Sequence, residues 1–127
     1  MSFRFDPTRQ LVVVKVRILG PVGDTTIHLA LDTGASSTLI GWDALTVVGY
    51  EPADAIGHVQ MKTGSATQFV PRIRLKQMDA LGKCRRGLGI IAHTLPIGAS
   101  VDGLLGLDFF RRSRLTVDFR KNLVKLD

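Results

Sequence analysis

Asp32 follows the apolar run Leu29-Ala30-Leu31 and precedes a run of small and polar residues, Thr33-Gly34-Ala35-Ser36-Ser37. That order delivers a carboxylate to the end of a buried strand and the start of a tight turn. A carboxylate in such surroundings is costly unless it is hydrogen-bonded or protonated. A carboxyl whose proton affinity is set by its surroundings is also what acid–base catalysis uses. Gly34 admits close backbone approach or a positive φ. The plainer reading is a hairpin turn with Asp at a usual turn position. Three letters do not separate the two readings, so the rest of the chain has to.

A second stretch bears on the choice. Val101-Asp102-Gly103-Leu104-Leu105-Gly106-Leu107-Asp108-Phe109-Phe110 reads as an apolar strand running through a glycine into a short helix. In order and spacing the two stretches resemble the aspartic peptidase pattern, and most of all the retropepsin-like group of retroviral proteases and their single-domain relatives. The resemblance runs from about Val12 to Leu126. It implies a closed β-barrel of acid-protease type with one short C-terminal helix, as a single domain over residues 1–127. It also implies Asp32 as the catalytic carboxylate, Thr33, Gly34 and Ala35 as supports of its loop, and Leu104, Leu105 and Gly106 as the second supporting motif.

Aspartic peptidases hydrolyse amides with two carboxylates that face each other over one water and share a proton, because two such close charges cannot both ionise. This chain supplies one. Asp24-Thr25-Thr26 lacks the glycine, and Asp102-Gly103 lacks the intervening hydroxyl residue. A symmetric homodimer brings Asp32 of one copy to Asp32 of the other, which the resemblance implies as well. In that group the threonine, here Thr33, bonds across the axis, and the chain termini join a shared sheet drawn from residues 1–7 or 123–127.

Two positions depart from the viral pattern. Its Asp and Arg partners correspond here to Ser36 and Leu107, so both members of that ion pair are missing together. Losing both is tolerable, whereas losing one would strand a charge. Where pepsins usually carry Ser or Thr, Ala35 offers no hydroxyl to the carboxylate. The expected consequence is a pair that titrates higher and works nearer neutral pH.

The elements that must position these residues are mostly strands. Leu11–Leu19 and Thr25–Leu31 flank a glycine-rich turn and form the hairpin that delivers Asp32. Thr38–Ile40 is a short strand, and Trp42–Val48 gives one or two helical turns. Ile56–Lys62 and Ala66–Val70 flank Thr63-Gly64-Ser65, a hairpin tip at the position where aspartic peptidases carry the flap that closes over a peptide. Arg72–Met78 alternates as one strand, and Lys83–Ala92 is less regular, with Gly87 and Gly89 marking a bulge or a bend at a barrel corner. The helix is expected over Gly106–Ser113, with the basic cluster Arg111-Arg112-Arg114 in its last turn. Leu115–Phe119 and Leu123–Leu126 close the chain as a hairpin. The fold class is mainly β.

With 127 residues, 45% of them hydrophobic, the chain suffices for one domain with a modest core. No run approaches the length of a membrane span, and Met1–Phe5 lacks a signal-peptide layout. The single cysteine, Cys84, excludes an internal disulfide framework and suits a reducing, cytoplasmic setting; it reads as a small apolar strand residue. His28, His58 and His93 have no metal-ligand spacing, so neither a metal nor another cofactor is expected. A net charge of +6 invites a nucleic-acid reading, but the cations are spread and few aromatics interleave with them, so no nucleic-acid partner is expected. Asp108 is expected to hydrogen-bond near the helix start.

The function expected from sequence is a homodimeric aspartic endopeptidase acting on extended peptide segments, with subsite walls drawn from Ile40, Val59, Ile97 and Leu104. A catalytically silent dimerisation or peptide-binding module of the same fold is the alternative, since fold alone does not fix function.

Overall fold

The alternating stretch Val13–Gly20 forms strand β2, after a short N-terminal strand β1 (Ser2–Arg4). In the computed structural model, which describes residues 1–127 apart from the side chain of Thr63, Val14, Val16 and Ile18 are buried while Lys15 and Arg17 between them face solvent. The chain turns back through Pro21 and Val22 into β3 (Gly23–Leu31), with Val13 opposite Ala30 and Gly20 opposite Gly23. One buried face with a period of two is what a half-buried antiparallel pair needs.

Strand β4 (Leu39–Gly41) runs directly into helix α1 (Trp42–Val47), whose Ala44 and Leu45 are buried. Strands β5 (Gly57–Thr63) and β6 (Ala66–Arg74) form a long hairpin around Gly64-Ser65. Strands β7 (Gln77–Ala80) and β8 (Lys83–Arg86) form a second, shorter one. After β9 (Gly89–His93) and a loop comes β10 (Gly103–Leu105), followed at once by the four-residue helix α2 (Leu107–Phe110). The C-terminal hairpin pairs β11 (Leu115–Asp118) with β12 (Leu123–Leu126).

Nine strands build one sheet in the order β5-β6-β9-β4-β10-β3-β2-β7-β8. The fold is mainly β, and this sheet curls around the core as a half-barrel. The closed barrel expected from the resemblance is not formed by the described pairings, which leave β5 and β8 as edges. At the β5 edge the outer part of the β5–β6 hairpin, Lys62 and Gly64 to Phe69, is exposed, and β6 pairs with β9 only from Arg72 onward. Leu29, Ile40, Leu45, Ile73, Ile90, Leu105 and Phe109 are fully buried between the layers, each worth about 1.5–3 kcal/mol by the area it removes from water. Among the described residues no helix is long and apolar enough to cross a membrane.

Three local expectations change. The stretch read as one strand over Arg72–Met78 is broken at Leu75 and Lys76. There the Leu75 amide donates to Leu88 O (2.9 Å) and the Lys76 amide to the Tyr50 hydroxyl (2.8 Å), outside the ladder. Helix α2 stops at Phe110, and Arg111 is already extended, so Arg111, Arg112 and Arg114 lie beyond the helix and not in its last turn. Cys84 lies in strand β8 as read, but it is exposed and not part of the buried core.

The chain ends form their own sheet, in the order β1-β12-β11. Strand β12 has both neighbours from its own chain, with Phe3 opposite Val124 on one side and Val117 opposite Val124 on the other. Sharing of terminal strands between two copies is therefore not needed to complete this sheet.

Candidate active site

Asp32 is the first residue past β3, which is gripped from both sides. The Leu31 amide donates to Val12 O at 2.8 Å, and the Asp32 amide donates to Leu105 O at 3.0 Å. Strand β10 lies between β3 and β4, parallel to the first and antiparallel to the second. The loop 32–38 that joins β3 to β4 therefore arches over the end of β10, where Gly106 sits. Both sequence motifs meet at that arch.

Asp32 itself is half-buried. Its Oδ1 accepts the Gly34 amide at 2.8 Å, and its carbonyl accepts the Ala35 amide at 3.2 Å. These bonds fix the turn and the carboxyl orientation, and among the described residues Oδ2 has no partner. Thr33 and Gly34 are exposed at the apex, and no described bond engages the Thr33 hydroxyl. Ala35 is half-buried, and its carbonyl accepts the Leu107 amide at 2.8 Å.

Gly106 is required by close approach. A Cβ there would stand 2.7 Å from the Ser37 carbonyl carbon and 2.8 Å from Ala35 O, distances that backbone atoms cannot accommodate without moving the loop. Leu105 is fully buried and Leu104 half-buried on either side of the strand. All three residues of the second motif thus underlie the loop.

The sequence reading did not pick out Thr38. It is the one fully buried polar side chain among the described residues. Its amide and hydroxyl both donate to the Asp108 carboxylate, at 2.8 and 2.7 Å, and its hydroxyl accepts the Gly106 amide at 3.1 Å. Asp108 was expected to hydrogen-bond near the helix start, and its partner Thr38 does bond Gly106 there. Asp108 itself leaves the α2 N-terminus without a side-chain cap and reaches back to the loop 32–38. One signal was present: an acid inside the apolar run Leu104–Phe110 must find donors. Asp102 bridges β3 and β4, accepting the His28 amide on Oδ2 at 2.9 Å and the Gly41 amide on its carbonyl at 2.9 Å.

The hairpin tip at Gly64-Ser65 is a two-residue turn with Gly64 at φ +62°, the first-position glycine of a type II′ connection. The Thr63 side chain lies outside the described residues. Val59, Met61 and Val70 share the more sheltered face of the hairpin, while Phe69 is 72% exposed on the other. Of the expected subsite walls, Ile40 is fully buried in the core and lines no surface, because β4 is interior to the sheet. Val59 and Leu104 are half-buried, and Ile97 is fully exposed on the loop after β9. That loop and the start of α1 enclose a cleft of about 450 Å³ lined by Trp42, Leu95, Ile97 and Asp102; Asp32 is not in its wall. Among the described residues no three His, Cys, Asp or Glu side chains cluster as metal ligands.

Residues 18–112 match the family described as gag-polyprotein putative aspartyl protease. No curated protein is a significant sequence match. Among solved structures, the chain resembles a retropepsin-like aspartic protease from Rickettsia conorii, with a TM-score of 0.71 and 17% identity over 99% of this chain and 88% of that one. It also resembles the retroviral protease-like domain of Ddi1 from Leishmania major, with a TM-score of 0.63 and 15% identity over 94% of this chain and 90% of that one. At these identities the likeness establishes a shared fold.

Proposed function

The chain belongs to the aspartyl protease family matched over residues 18–112, and we propose that it acts as a homodimeric aspartic endopeptidase. Asp32 from each of two subunits holds the attacking water. One carboxylate takes a proton from the water while the other, protonated, donates to the scissile carbonyl. The proton shared by the pair makes its apparent pKa values a property of both residues together.

One observation carries this reading. The Asp32 carboxyl is oriented by its own turn, with Oδ1 bonded to the Gly34 amide, while Oδ2 is free of described partners at an exposed apex. A carboxyl so held, with no acid bonded to it among the described residues, is suited to act as half of a pair. The exposed Thr33 and Gly34 beside it are the surface that a second copy meets. The β5–β6 hairpin serves as the lid, its backbone adding hydrogen bonds to an extended peptide and excluding water.

The test is cleavage of a peptide library, read by mass spectrometry from mildly acid to neutral pH, with wild type beside Asp32→Asn. Cleavage by wild type alone supports the reading and yields the subsite preferences. A confirmed dimer that cleaves nothing points to the silent binding module instead, and Asp32→Asn then binds peptide as wild type does.

A further inference from the structure

This inference rests on the peptidase reading and concerns a residue which that reading does not use. Helix α2 is short, yet it is held from two directions. On one side Arg85 of β8 donates from Nε to Phe109 O and from Nη2 to Ser113 Oγ, both at 3.1 Å, with its guanidinium 5.0 Å from the centroid of the Phe109 ring. On the other side the Asp108 carboxylate takes both donors of Thr38.

The geometry points to Asp108 as a positioning residue for Asp32, acting through Thr38 to hold the loop 32–38 down on Gly106. The directions of the bonds make the three residues one unit. Because the Thr38 hydroxyl gives its proton to Asp108, its lone pairs are turned to the Gly106 amide. Without the Asp108 carboxylate, two donors of a fully buried residue lose their acceptor, and the loop can satisfy them only by moving toward water. The loop has little slack to absorb that movement. It is fixed to the second motif at its start by Asp32 N to Leu105 O, in its middle by Leu107 N to Ala35 O, and at its end by Thr38. Displacement at the end therefore reaches the Asp32 carboxyl.

Displacement of a paired carboxyl has a kinetic signature. A misplacement of about 1 Å costs about 100-fold in rate. Two carboxyls set farther apart also repel less, so their two apparent pKa values converge and the bell of kcat against pH narrows. A merely destabilised protein keeps the bell and loses amplitude in proportion to its unfolded fraction.

The experiment compares Asp108→Ala, the isosteric Asp108→Asn, Thr38→Val and Thr38→Ser on the dimeric protein. Asp108→Ala and Thr38→Val are expected to lower kcat about 100-fold at little change in KM, with a narrowed bell. Thr38→Ser, which keeps the hydroxyl, restores both. The Thr38→Val/Asp108→Ala double variant is no worse than Asp108→Ala alone, as for residues acting through one contact. Should Asp108→Ala fail to fold, Asp108→Asn carries the reading, since its amide nitrogen cannot accept from Thr38. An unchanged bell width, or Thr38→Ser behaving as Thr38→Val does, overturns the proposal. Amide hydrogen exchange on the same samples gives a second readout. Asp108→Ala is expected to speed exchange at Ala35, Thr38, Gly106 and Leu107 but not at Val16 or Ile18, and unchanged protection at Gly106 and Leu107 overturns the assignment. If the wild-type dimer cleaves no peptide, the peptidase reading fails by itself and exchange alone decides the role of Asp108.

Discussion

The amide of Asp32 donates to the carbonyl of Leu105 at 3.0 Å, so the carboxyl expected to do chemistry is hung on the strand that leads into Gly106. This bond exists because β10 slots between β3 and β4, a placement that requires the loop 32–38 to pass over Gly106 without a side chain in between.

Gly106→Ala follows directly from that packing. The added methyl meets backbone atoms of Ala35 and Ser37 within 2.8 Å, and backbone cannot rotate aside as a side chain does. We expect a loss of about 1–3 kcal/mol, typical of overpacking. It should be read in urea unfolding as a lower midpoint at unchanged slope. Peptide turnover, measured where the variant is fully folded, should fall further than stability does. Wild-type turnover in a folded Gly106→Ala protein would show that the loop does not depend on this contact.

How much of this site the sequence carried depends on the range of each interaction. Asp32 and Gly106 were legible because each interrupts an apolar run, and an interruption is a local signal. The Thr38–Asp108 contact was not, because it joins residues far apart in the chain, and only the insertion of β10 between β3 and β4 brings them together. The break at Leu75 was hidden for a similar reason. Leu75 keeps the apolar alternation and is fully buried, while its backbone partners come from Leu88 and Gly87. The open edges of the main sheet were beyond reach as well, since periodicity reports which face of a strand is buried and not which strand lies beside it.

Removal of residues 1–5 separates a terminal sheet built within one chain from one shared between two. Strand β1 covers one edge of β12, and the Phe5 ring is 7% exposed, edge-on to Phe119 at 5.8 Å between centroids. Loss of the Phe5 ring alone costs about 3–5 kcal/mol by the usual range for a buried aromatic. The shortened chain is therefore expected to be destabilised equally at dilute and concentrated protein in thermal melts. A deficit that appears only at dilution would instead place β1 on a neighbouring copy.

Tyr50 links the hairpin that carries Asp32 to the strand break at Lys76. Its hydroxyl donates to Leu19 O and accepts the Lys76 amide, both at 2.8 Å. Burial, its largest influence, pushes the phenol pKa up, so the folded state holds this proton more tightly than the unfolded one. The stability linked to it is complete below the ordinary tyrosine range and is lost as pH rises through the folded-state value. Tyr50→Phe is expected to cost about 1–3 kcal/mol at neutral pH, from two polar groups left without a partner. It should also flatten the alkaline limb of stability against pH measured by urea unfolding. A variant with the wild-type alkaline limb would assign that limb to another group.

Gly64→Ala separates the hairpin tip's role in binding from any role in stability. At φ +62° an L-residue pays about 1–2 kcal/mol, but this tip is exposed and an added Cβ there meets nothing within 4 Å. The strain is relieved by local rearrangement of the β5–β6 connection, so the global melting temperature should hardly move. A lid that binds peptide through its tip backbone loses that geometry, however, and KM should rise several-fold while kcat changes less. If Gly64→Ala leaves KM unchanged, the hairpin does not close on peptide, and the contacts that select a substrate must be sought on the loop after β9, where Ile97 stands fully exposed.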